Sequence, residues 1–142
     1  GYYAGKLAQE RAVAAAPLPS TIVRATQFHE FAGQQLAAAK GPIAVLPRLL
    51  MRPVAASEVA AYLVEVAEGG PQGRAQDLVG PRDEVLADVA RRQVRADGGR
   101  RRIVEVPLPG RMGRGMASGS LRGAQPCRQG TVTFDEWLAG AR

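Results

Sequence analysis

The sequence predicts an α/β domain, and three observations carry that expectation. Short runs rich in β-branched or aliphatic residues, at 21–23, 43–46, 75–79 and 103–106, alternate with stretches whose apolar residues recur at helical spacing. Breaks such as Pro17-Leu18-Pro19-Ser20, Gly69-Gly70-Pro71 and Gly80-Pro81 separate them. With 142 residues and 46% hydrophobic composition, the chain suits one core of ordinary size, so residues 1–142 read as a single domain. Such alternation argues for strands covered by helices rather than for a bundle or a sandwich.

The first helix is expected to run to about Ala16, where the proline pair stops it. Its apolar stripe is thin, Leu7 and Val13 among alanines, and Gly5 costs it about 1 kcal/mol relative to alanine. No cap precedes it, so it reads as cut from something longer. Residues 21–23 form a short buried strand. A helix over 28–39 follows, closed by Lys40 and Gly41, and residues 43–46 make a second strand. Ser57 is expected as the N-cap of the next helix, with Glu58 in its first turn and Val59, Leu63 and Val66 facing the sheet until Gly69. A third strand, 75–79, turns at Gly80-Pro81. The helix over 84–94 then directs Leu86, Val89 and Ala90 inward.

Beyond the strand at 103–106 lies a basic segment with Gly110, Gly113, Gly115 and Gly119. It has neither Gly-x-Gly-x-x-Gly spacing nor a P-loop ending, so it reads as a mobile, partly helical lid or substrate loop, or as a plain connector. Thr133-Phe134-Asp135-Glu136 is a capping box, opening a last helix whose Trp137 packs on the body of the domain.

A net charge of +6 could serve nucleic acid or an anionic cofactor. Only 5% of residues are aromatic, however, and no helix-turn-helix or zinc spacing is present, which disfavours a nucleic-acid partner. Arg100-Arg101-Arg102 reads as a solvated turn. Cys127 is the only cysteine, which rules out an internal disulfide and suits a reducing, cytoplasmic setting. His29 is the only histidine; it reads as a polar surface residue and has no companion for a metal site. No 18-residue apolar run or signal-peptide pattern occurs, so neither a membrane partner nor export is expected.

Candidate chemistry lies at the start of the chain. Tyr2 and Lys6 are four apart, which on a helix stacks them on one face. An ammonium favours the phenolate, so such a tyrosine can pass a proton to or from a carbonyl or alcohol near neutral pH. Gln27, Phe28 and His29 sit where strand passes into helix, the end of a strand at which open α/β sheets bind ligands.

Tyr2-x-x-x-Lys6, the following Leu7-Ala8-Gln9-Glu10, the run from Thr21 to Phe28 and the Arg52-Pro53-Val54 segment together resemble the atypical short-chain dehydrogenase/reductases of the NmrA-like, NAD(P)-binding group. Ala25 departs from it, standing where many relatives place a proline. The resemblance spans essentially the whole chain but only the C-terminal half of such an enzyme. It implies the C-terminal part of a Rossmann-like fold with a substrate-binding extension, lacking the N-terminal dinucleotide-binding strands. It further implies Tyr2 as general acid/base, Lys6 as its tuning partner and a cofactor-ribose ligand, Gln27 on the cofactor and substrate side, and Phe28 on the substrate side. The implied cofactor is NAD(P), and the implied partners are a small-molecule substrate and the absent first half of the fold. The chain alone is then expected to be inactive. Because some members of the group bind cofactor without turnover, a non-catalytic, redox-responsive regulatory protein is the alternative.

Overall fold

Residues 2–140 are described by the computed structural model, Tyr2 and Tyr3 as backbone only, and they form a mixed α/β arrangement of six helices and small sheets. Two groups of parallel strands organise it. In the first, β1 (Thr21–Ile22) runs beside β4 (Gly73–Arg74) and then, through Ala25 and Leu78, beside β5 (Asp77–Val79). The other edge of β5 pairs in parallel with β8 (Cys127–Gln129). The backbone groups of Leu78 bond to Arg24 and Thr26, whereas the Val79 carbonyl accepts from Gly130. All three residues of β5 are buried, as a parallel strand with neighbours on both sides should be.

In the second group β2 (Ile43–Pro47) pairs with β7 (Arg102–Val106), Ala44 opposite Ile103. Period-two alternation turns Ala44, Leu46 and Ile103 inward and leaves Ile43 and Val45 exposed. α2 (Phe31–Ala38) and α4 (Leu86–Ala96) meet that inner face through Ala32, Leu36, Val89 and Ala90. The same core takes in Phe134 and Trp137 from α6 (Phe134–Gly140) and Met51 from β3 (Leu50–Met51), which pairs antiparallel with β6 (Glu84–Val85). A separate cluster is built where α3 (Ala56–Glu68) lays Val59, Tyr62 and Val66 over Val54, Ala75 and Leu78.

Several boundaries differ from the sequence-based expectation, each for a local reason. α1 (Tyr2–Ala15) ends one residue early, and α2 begins at Phe31 rather than at residue 28. Phe28 instead bridges Val54, with the His29 amide donating to the Val54 carbonyl at 3.2 Å, so extended pairing outcompetes the helix there. Ala55, not Ser57, is the N-cap of α3, without a side-chain bond. Leu63 is 49% exposed, and Tyr62 takes its place in the core because its hydroxyl can still reach the Gln76 carbonyl at 3.1 Å. The glycine-rich stretch is helical as α5 (Gly110–Ser118), with Gly119 closing it at φ 108°. β3, β4, β6 and β8 carry no pattern long enough to be read in advance.

One close approach fixes how the two layers meet. The Gly80 amide donates to the Arg52 carbonyl at 3.0 Å, and a Cβ at Gly80 would lie 1.7 Å from the Pro53 carbonyl oxygen. Only glycine fits there.

Candidate functional site

Tyr2 and Lys6 both belong to α1, one turn apart. The Tyr2 side chain lies outside the described residues; Lys6 is exposed. α1 is fastened to the segment just after β1 by Glu10, whose carboxylate takes both Nε and Nη2 of Arg24, the former at 2.7 Å. That fork holds the Glu10 carboxyl below the usual carboxylate range and raises the Arg24 guanidinium. Between α1 and the β1–β4 pair runs an open groove of about 840 Å³, walled by Leu7, Arg11, Ala14, Leu18 and Ile22. The sequence explains its shape: small alanines on a thin apolar stripe leave α1 standing off the strands.

Gln27 and Phe28 lie where the chain leaves Leu78 and crosses to Val54, the Gln27 carbonyl accepting from the Val54 amide at 2.9 Å. Consecutive residues of an extended segment point to opposite sides, so the two side chains diverge, and neither lines the α1 groove. Phe28 is 42% exposed. The Gln27 side-chain carbonyl is buried and has no hydrogen-bond donor among the described residues. An amide acceptor left bare costs about 1–3 kcal/mol, a debt that a bound donor would relieve.

His29 is not the surface residue its isolation in the sequence implied; it is 1% exposed. Its ring sits 5.7 Å from Phe134 and 5.6 Å from Trp137, centroid to centroid, and Nε2–H donates to the Val132 carbonyl at 3.0 Å. A carbonyl can only accept, which puts a proton on Nε2 and, in the neutral ring, leaves Nδ1 bare; Nδ1 has no hydrogen-bond partner among the described residues. Glu58, expected only as a helix-dipole charge, grips the same segment from the other side. Its Oε1 accepts from the Thr131 amide at 2.6 Å, the Thr131 hydroxyl at 3.0 Å and the Val132 amide at 3.2 Å. Thr133 and Glu136 then close the capping box reciprocally, at 2.8 and 3.3 Å.

Burial pushes the His29 pKa down, outweighing the Val132 bond and the nearby Glu30, Glu58 and Glu84 carboxylates, which push it up. The folded protein therefore resists a proton that the unfolded chain accepts below about pH 6.5, so stability falls as pH drops from there towards the depressed value. Urea melts at stepped pH should show this loss in the parent protein and a flatter profile in His29→Gln. Equal slopes in both would contradict it. The lowered carboxyls of Glu10, Glu65 and Glu136 act in the same direction, but only below about pH 4.5.

Among the described residues, no group of three His, Cys, Asp or Glu side chains gathers to hold a metal ion, and no helix is long and apolar enough to cross a membrane. No family model, no curated protein and no solved structure matches the chain.

Proposed function

We propose that this chain is the substrate-side, C-terminal part of a Rossmann-like NAD(P)-dependent oxidoreductase of the atypical short-chain dehydrogenase type, the reading the motif set resembles. One observation carries it: Tyr2 and Lys6, at one-turn spacing, occupy a helix that leads through residues 16–20 into β1, a parallel strand whose only strand partner among the described residues is β4. The other edge of β1, which pairs with no strand among the described residues, suits a further parallel strand from a nucleotide-holding half of the same fold. The residues present fit one end of the cofactor. The bare Gln27 acceptor suits a carboxamide or hydroxyl donor, and the exposed Lys6 ammonium suits ribose hydroxyls. No glycine-rich strand–turn–helix for a pyrophosphate occurs in the sequence.

When bound, NAD(P) supplies or accepts the hydride. The chain's own part is proton transfer and positioning. Tyr2 would give a proton to a carbonyl oxygen, or take one from an alcohol, while Lys6 stabilises the phenolate this leaves. Phe28 would shield the substrate from water.

Joined to its nucleotide-holding half, the protein should lose turnover by about 10²–10⁴-fold on Tyr2→Phe, with Lys6→Ala moving the pH–rate profile to higher pH. Turnover that ignores Tyr2→Phe, or its absence in both forms, would instead favour the non-catalytic, redox-responsive regulator.

A further inference from the structure

A second cleft, of about 550 Å³, opens past the carboxyl end of β5, the position at which open α/β sheets take ligands. Arg82 and Asp83, leaving β5, face Arg52 from beyond β3 and Arg122 from the loop after α5. Two guanidiniums, Arg52 and Arg122, thus flank the Asp83 carboxylate, and a third, Arg82, lines the same cleft and attracts the Glu136 carboxylate from a distance. Asp83 Oδ2 accepts from Arg122 Nη1 at 2.8 Å, while Oδ1 stays 3.6 Å from Arg52 Nε, too far for a hydrogen bond. The Arg52 Nε–H is buried and, although ion-paired with Asp83, donates no hydrogen bond among the described residues. Arg82 is exposed and donates no hydrogen bond among the described residues.

The loop is shaped to keep this charge in place. Gly119 and Gly123, at φ 108° and 87°, both line the cleft. A Cβ at Gly119 would fall 2.3 Å from Arg122 Nε, and one at Gly123 would fall 2.5 Å from Val79 Cγ1. Backbone that lies this close to β5 and to a guanidinium leaves a concave surface with a surplus of two positive charges. Asp83 satisfies only part of the donor set. Guanidinium forks of this kind match the oxygens of phosphate and carboxylate groups, and the volume is that of an ordinary metabolite site.

We infer that this cleft binds a small molecule through an oxyanion group, held by Arg52, Arg82 and Arg122, with the Asp83 carboxylate as the internal competitor that it displaces. The inference stands apart from the oxidoreductase reading and survives its failure. The oxyanion can be phosphoryl or carboxylate, and separate titrations tell them apart.

The test is amide chemical-shift titration of the chain with inorganic phosphate, with succinate, and with sodium chloride at matched ionic strength. Saturable shifts at Arg82, Gly119 and Gly123 are expected with phosphate or with succinate, whichever group the cleft takes, and not with chloride. Arg82→Ala, which removes no internal hydrogen bond and only the exposed, screened attraction to Glu136, should leave the fold intact and weaken binding about fivefold, as should Arg122→Ala. Asp83→Asn should tighten it, because the competitor is gone. If the arginines served only to pin the loop through Asp83, Asp83→Asn would loosen the site and weaken binding. That result, or shifts reproduced by chloride, or affinity indifferent to Arg82→Ala, overturns the inference.

Discussion

Replacing Gly80 by alanine is expected to destabilise the protein by about 3 kcal/mol or more, enough to lower the melting temperature by roughly 10 °C in a domain of this size. The added Cβ would meet the Pro53 carbonyl oxygen at 1.7 Å and the Arg52 carbonyl oxygen at 2.9 Å. Both obstacles are main chain, so no rotamer change can relieve the clash. Relief requires parting residues 52–53 from the end of β5, which breaks the Gly80–Arg52 hydrogen bond and opens the layer below α3. Gly5→Ala is the internal control: nothing lies within 4 Å of a Cβ there, and it should stabilise α1 by about 0.5–1 kcal/mol. Denaturant melts of the two variants against the parent decide the matter. A Gly80→Ala protein within 1 kcal/mol of the parent is incompatible with this packing.

Phe134→Ala should cost about 3–5 kcal/mol, the range for deleting a fully buried aromatic side chain. Phe134 is 1% exposed, touches the His29 and Trp137 rings, and carries the Arg92 guanidinium 5.1 Å from its centroid. Its removal takes away the apolar floor under α6 and lets water reach the His29–Val132 bond. The red shift of Trp137 emission, read in the folded baseline, reports that event directly, since Trp137 is the only tryptophan. Phe134→Leu keeps most of the volume and should lose far less, about 1.5 kcal/mol or under. Should the alanine variant melt like the parent with unshifted emission, α6 is not docked as described.

What the sequence disclosed tracks how local the determining physics is. The capping box at Thr133 depends on three residues' spacing, and the inward set Leu86, Val89 and Ala90 on one helix's periodicity; both stand in the structure as expected. Tyr62 displacing Leu63 could not be read in the same way, because both fit a helical stripe. The choice was made by the Gln76 carbonyl, in the link between β4 and β5. The burial of His29 is decided by Val132, 103 positions away, and by two aromatic rings beyond it. β4 and β8 are two and three residues long, and only their partners give them register. The arginines at 52, 82 and 122 have no common motif; the fold alone assembles them. Of the expected site, Gln27 and Phe28 lie in the extended segment before α2, but pointing to opposite sides of it.

The central place of β5 bears on how the polypeptide is made. Its second neighbour is β8, about fifty residues later in the chain, so during synthesis the strand stays open on one side until residue 129 has cleared the ribosome. An unprotected strand edge of that kind attracts other nascent chains. Yield in a cell should therefore respond to translation rate and to holdase chaperones more than the equilibrium strength of the finished protein would indicate.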